Sequence, residues 1–119
     1  MKRLIGLEKI NTAVFISGNG SNLKNLIKFS IKKNSPIKIN LIISNNSKSK
    51  GLIFSKMYKI KSRIYIFNHK NKIENKILKN LEKNKINLIC LAGFMKILSK
   101  NFIKRFKGKI LNIHPSLLP

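Results

Sequence analysis

Apolar positions recur along the chain in two alternating rhythms, short β-branched runs and stretches with helical spacing. Thr12 to Ser17 is an apolar, β-branched run bounded by glycine, the pattern of a buried strand. It leads into Gly18, Asn19, Gly20, Ser21 and Asn22, after which Leu23, Leu26, Ile27 and Ile31 return at helical spacing. The polar loop therefore opens a helix, with Ser21 or its neighbour as N-cap. Ile37 to Ile43 reads as a second strand, followed by a loop over Ser44 to Ser47. A short helix is predicted from about Lys50 to Tyr58 and a third strand over Arg63 to Phe67. Ile73, Ile77, Leu78 and Leu81 mark the apolar face of a third helix, which assigns Glu74 and Glu82 to the solvated side as partners for lysine. Ile86 to Ala92 is apolar throughout, as a strand covered on both faces would be. Gly93 to Lys96 forms a loop, Ser99 to Phe106 a short helix, and Lys109 to His114 a fifth strand.

Strand and helix alternate without internal repeat or linker, which predicts one α/β domain with a mostly parallel, doubly wound sheet and helices on both faces. Such sheets bind ligands beyond the C-terminal ends of their strands. The polar loops at Gly18, Gly93 and His114 all fall on that edge.

Composition changes this picture little. The 119 residues are 43% hydrophobic, enough for one core. Net charge is +23, and Glu8, Glu74 and Glu82 are the only acids. A charge of that size can mark a nucleic-acid surface or an anionic membrane partner. Here the excess is almost all lysine, with Arg3, Arg63 and Arg105 the only arginines, and asparagine and isoleucine are also unusually abundant. Codon drift toward A and T accounts for all three, whereas a selected nucleic-acid surface favours arginine and interleaved aromatics. Cys90, the single cysteine, excludes an intrachain disulfide and a cysteine zinc cluster and fits a cytoplasmic protein. Within its apolar run it reads as a small core residue rather than a nucleophile. The residues after Met1 do not make a secretion signal, because Glu8, Lys9 and Asn11 interrupt the apolar stretch. All apolar runs are of strand length, too short to span a bilayer.

Three places carry candidate chemistry. Gly18, Gly20, Ser21 and Asn22 put a tight turn and backbone N–H groups at a helix N-terminus, where a phosphate is favoured. The spacing fits neither the dinucleotide fingerprint nor a Walker loop, and a purely structural turn is the alternative. Gly93 to Ser99 sets apolar side chains beside Lys96, either as core packing or as the wall of a pocket for a flat, partly apolar ligand. Asn112 and His114, two apart on one strand face before Pro115, can bind a developing oxyanion and move a proton, as acyl or formyl transfer requires. The bland alternative is a strand-ending turn with an exposed histidine. His69 reads as a surface residue, and with both histidines isolated and no aspartate in the chain no metal set can be assembled.

The strings FISGNGSNL (15–23), LAGFMKILS (91–99) and GKILNIHPSLLP (108–119), in this order and spacing, resemble the phosphoribosylglycinamide formyltransferase family, from about Thr12 to Pro119. Methionyl-tRNA formyltransferase and formyltetrahydrofolate deformylase share a version of the HPSLLP element, while the GNGSNL loop is the glycinamide ribonucleotide version. The resemblance implies a Rossmann-like formyltransferase fold and transfer of a formyl group from 10-formyltetrahydrofolate to the amine of 5-phosphoribosylglycinamide, in purine synthesis. By it, Gly20, Ser21 and Asn22 hold the substrate phosphate. Met95, Lys96, Ile97 and Leu98, with Lys70 and Asn112, line the folate site, the family having arginine where Lys96 and Lys70 stand. Asn112 and His114 match the catalytic pair. The family's catalytic aspartate, which raises the pKa of that histidine, comes after the position of Pro119. The resemblance thus covers the N-terminal portion of the family domain and implies little or no transfer by these 119 residues alone, with a second polypeptide as one source of the missing half. The competing readings are a formyltransferase of the methionyl-tRNA type and a basic nucleic-acid binding module.

Overall fold

The computed structural model describes residues 8–113. Five strands run in chain order as β1 (Ile10–Ile16), β2 (Ile37–Ser44), β3 (Lys61–Ile64), β4 (Leu88–Leu91) and β5 (Lys109–Asn112). They form one sheet in the order β3-β2-β1-β4-β5, and every pairing is parallel. Between them lie α1 (Ser21–Ser30), α2 (Ile53–Met57), α3 (Lys70–Lys83) and α4 (Lys100–Arg105).

Side-chain alternation along β1 divides the interior in two. Ala13 and Phe15 face one layer, with Leu41, Ile43, Ile89, Ile77 and Leu81 of α3, and Phe102 of α4. Val14 and Ile16 face the other, with Ile42, Cys90 and Leu23, Leu26 and Ile27 of α1. A strand buried on both faces must be apolar at every position, and residues 13–16 are fully buried. In β2 the alternation slips once. Thr12 pairs with Ile39 and Ala13 with Leu41, so Asn40 is an extra residue that turns Ile37 and Ile39 onto the α1 side and Leu41 onto the other. Its Oδ1 accepts the Thr12 N–H at 3.2 Å, standing in for the displaced backbone acceptor.

Three expectations shift. The third strand covers Lys61–Ile64 rather than Arg63 to Phe67, because β3 pairs with residues 41–44 of β2 and β2 ends there. Tyr65 and Phe67 are apolar for another reason, packing beside the α3 layer after the strand has ended. The helix expected from Lys50 is a 3-10 turn over Lys50–Leu52 that passes into α2. Glu74 is not solvated but buried on α3, whereas Glu82 is exposed. Among the described residues no helix is long and apolar enough to cross a membrane.

Candidate active site

Strand order reverses at β1, which lies between β2 and β4, so the crevice beyond the C-terminal ends of β1 and β4 is the natural ligand site. The segments that follow β1, β2, β3 and β4 start at this edge, and β5 ends there. After β1 the chain turns through Ser17, Gly18 and Asn19 to Gly20, whose φ of 80° is left-handed. Of Ser21 and its neighbour, it is Gly20 that occupies the cap position, and Ser21 is the first helical residue. A second constraint requires glycine there: a Cβ on Gly20 would lie 2.5 Å from the Cα of Gly51. One on Gly51 would in turn lie 2.9 Å from the Cα of Gly20. The Gly51 N–H donates to the Gly18 carbonyl at 3.1 Å, tying the two loops backbone to backbone. Asn19 Oδ1 accepts the Ser21 N–H at 3.1 Å. The amides of Asn22 and Leu23, next in the first turn, have no intrahelical partner and face the positive end of α1, a donor pair suited to an anion.

The loop after β4 is built differently. Gly93 has a φ of 73°, and Phe94 then turns its ring inward, edge-on to Phe15 at 5.3 Å and to Phe67 at 5.9 Å between centroids. Met95 N–H donates to Ser17 Oγ at 2.8 Å, and that hydroxyl donates in turn to Asn45 Oδ1. Met95 and Ile97 are 80% and 81% exposed with Lys96 exposed between them, whereas Leu98 is buried in the α3–α4 layer. Two large apolar side chains held in solvent beside a lysine suit a flat ligand with an anionic tail. The Phe67 contact also brings alongside this loop the segment leading to Lys70, the exposed first residue of α3.

Asn112 ends β5, opposite Leu91, and is exposed. Alternation sets it on the same face as Ile110, which packs against the α3–α4 layer, and hence on the side where the 93–99 loop crosses. His114 lies outside the described residues. Cys90 is buried, and burial pushes its thiol up from 9.0 to about 11, which keeps it protonated and inert at neutral pH. Among the described residues no three His, Cys, Asp or Glu side chains gather as a metal site requires.

The formyl transferase family model matches residues 10–119. The chain belongs to the formyl transferase family. It is 42% identical over 112 residues to the phosphoribosylglycinamide formyltransferase of Haemophilus influenzae, a match covering 90% of this chain and 52% of that protein. To the trifunctional purine biosynthetic protein adenosine-3 of Gallus gallus it is 42% identical over 120 residues, 97% of this chain and 12% of that one. Among solved structures, phosphoribosylglycinamide formyltransferase from Brucella melitensis superposes with a TM-score of 0.85 at 37% identity, covering 94% of this chain and 60% of that one. This formyl transferase chain thus spans about half the length of its bacterial relative and about an eighth of the trifunctional one.

Sequence reasoning missed Ser17, Asn45, Gly51 and Glu74. Ser17 and Asn45 carried no usable signal, since only the parallel pairing of β1 and β2 brings their loops together. Glu74 did carry one: it precedes Ile77 by three positions and Leu81 by seven, on the buried stripe of α3.

Proposed function

We propose that the protein transfers a formyl group from 10-formyltetrahydrofolate to the amine of 5-phosphoribosylglycinamide, as a cytoplasmic enzyme of purine synthesis. The observation that carries this reading is the convergence on one crevice of an anion-suited helix end and an exposed apolar and basic loop, with an amide at the adjoining strand end. The amides of Asn22 and Leu23, with Gly20 and Ser21, would receive the substrate phosphate. Met95, Lys96 and Ile97 would wall the folate, Lys70 would meet its anionic tail, and Leu98, buried, would contribute through its backbone. Attack of the substrate amine on the formyl carbon turns the formyl oxygen into an oxyanion. Asn112 Nδ2 would donate to it, and His114, once protonated, would help and then pass a proton to the departing folate nitrogen. The aspartate that sustains that protonation in the family comes after Pro119, so residues 1–119 expressed alone should show little or no transfer. A longer chain or a second polypeptide would supply it.

The test is formyl transfer measured with the full natural chain containing these residues, wild type and Asn112→Ala. Removing one oxyanion donor should lower kcat by about 10²–10³-fold while glycinamide ribonucleotide affinity stays near wild type. Unchanged kcat in the variant would refute the assigned role. Tight binding of tRNA in place of the ribonucleotide would favour the methionyl-tRNA type. Binding to any RNA that weakens steeply with salt and survives Asn112→Ala would favour the nucleic-acid module.

A further inference from the structure

Of the three acids in this chain, Glu74 alone is folded inside, at 3% exposure. Both of its carboxylate oxygens serve one residue. Oε2 accepts the Ser99 N–H at 2.8 Å, and Oε1 accepts the Ser99 hydroxyl at 2.6 Å. Ser99 Oγ then accepts the Phe102 N–H at 3.0 Å, closing the first turn of α4. A buried carboxylate answered only by neutral donors is costly, and an apolar residue on this stripe of α3, beside Ile77, would pack at less expense. Apolar packing of the α3–α4 contact therefore does not by itself explain an acid here.

Position does explain it. Ser99 is the last residue of the loop that carries the exposed side chains Met95 and Ile97 beyond the C-terminal end of β4. The other end of that loop is fixed at Met95 N–H by Ser17 Oγ, and Phe94 is seated between two rings. Between these two anchors only Lys96, Ile97 and Leu98 remain, and Leu98 is itself buried. With Ser99 released, that end of the arch would be held only by the packing of Leu98 and Phe102, with no polar contact fixing its backbone.

We propose that Glu74 is a positioning residue for the ligand-facing loop, clamping Ser99 so that Met95, Lys96 and Ile97 present one preformed wall to the folate. This deepens the proposed function and rests on it. The α1 phosphate loop is fixed by backbone contact with Gly51 and does not touch Glu74, so the effect belongs to the folate half of the site. Glu74→Gln leaves one side-chain acceptor for the two Ser99 donors, whereas Ser99→Thr keeps both donors.

The experiment is calorimetric titration of the full natural chain with 5-formyltetrahydrofolate and, separately, with glycinamide ribonucleotide, alongside amide hydrogen exchange over residues 93–102 and 18–23. Glu74→Gln should weaken folate binding at least about tenfold and leave ribonucleotide binding within about twofold. Exchange at 95–99 should rise and exchange at 18–23 should not, and Ser99→Thr should stay within about threefold of wild type for both ligands. Equal loss of both ligands with faster exchange everywhere would overturn the proposal, as would unchanged folate affinity. If Glu74→Gln does not fold, Ser99→Ala, which removes one of the two bonds, is read by the same criteria. If the wild type binds neither ligand, the transferase reading fails by itself. Selective opening of 95–99 in the variant would still support the clamp, and wild-type exchange there would refute it.

Discussion

The two loops that meet in the crevice reach fixed shapes by different means. The β1–α1 loop is locked at its tip by backbone, through the left-handed Gly20, its contact with Gly51 and the Gly51 N–H to Gly18 carbonyl bond, while Ser49 Oγ and Asn46 Nδ2 add side-chain bonds to the Gly18 and Ser17 carbonyls at its base. The β4–α4 loop is held by side chains lent from far along the chain, Ser17 at one end and Glu74 at the other, with Phe94 between. A backbone lock suits an anion, whose ligands are N–H groups at fixed spacing. A side-chain lock leaves Met95, Lys96 and Ile97 free to shape a wall for a larger, flatter partner.

The comparison breaks most directly at Gly20. Gly20→Ala puts a side chain at a φ of 80° and drives its Cβ into the backbone of Gly51, where neither atom can rotate away. Left-handed strain and overpacking together should cost about 2–5 kcal/mol in denaturant unfolding, and ribonucleotide binding should disappear. A variant that stays as stable as wild type and binds normally would mean that the loop has a second, equally good shape. Phe94→Ala tests the other loop and should do less, about 1–3 kcal/mol, since it removes two edge-on ring contacts from a half-buried position. Folate affinity should fall in that variant more than ribonucleotide affinity, and the reverse order would erase the distinction between the loops.

That distinction also explains what the sequence could show. Local features were readable: the run into Gly18, the helical spacing from Leu23, and the alternation of strands and helices are all written within a few residues of where they act. Asn40 was not, because a bulge is a property of the pairing between β1 and β2 and not of either strand. Tyr65 and Phe67 misled the reading of β3 because apolar residues report burial, and here they are partly buried by packing after the strand ends, not by pairing within it. The sequence points Glu74 to solvent because acids on helices usually are solvated. Its partner Ser99 is 25 positions away, and that of Ser17 in the same loop, Met95, is 78 away. The turn after β1 is therefore legible as a glycine turn opening a helix, but its lock on Gly51 is not, and the loop after β4 is legible only as a loop.

Exposed substitutions sharpen the comparison without disturbing the fold. Lys96→Arg sits on the presented wall, where the side chain is solvated and nothing packs on it. A planar, two-pronged donor matches a carboxylate or a pterin edge better than an ammonium does. Reduced-folate binding should tighten about threefold to tenfold with Tm unchanged, and ribonucleotide binding should not respond. Lys70→Arg should act in the same direction and more weakly, being at the tail of the ligand. A gain in ribonucleotide affinity from either change would place these lysines on the wrong side of the crevice.

The smallest effect asks whether a left-handed backbone or a close approach demands glycine at position 20. Lys85 is also left-handed, at a φ of 56°, just after α3, where the Ile86 N–H reaches back to the Leu81 carbonyl at 2.9 Å to close the helix. It is exposed, and it carries a full side chain in that conformation. Lys85→Gly should therefore stabilise the domain by only about 0.5–1 kcal/mol, seen as a rise in Tm of roughly 2–6 °C. Set against a loss several times larger for Gly20→Ala, that modest gain would assign most of the requirement at Gly20 to the approach of Gly51. Effects of equal size at the two positions would assign it to the dihedral angle alone, and the β1–α1 loop would then be an ordinary helix cap without a backbone lock.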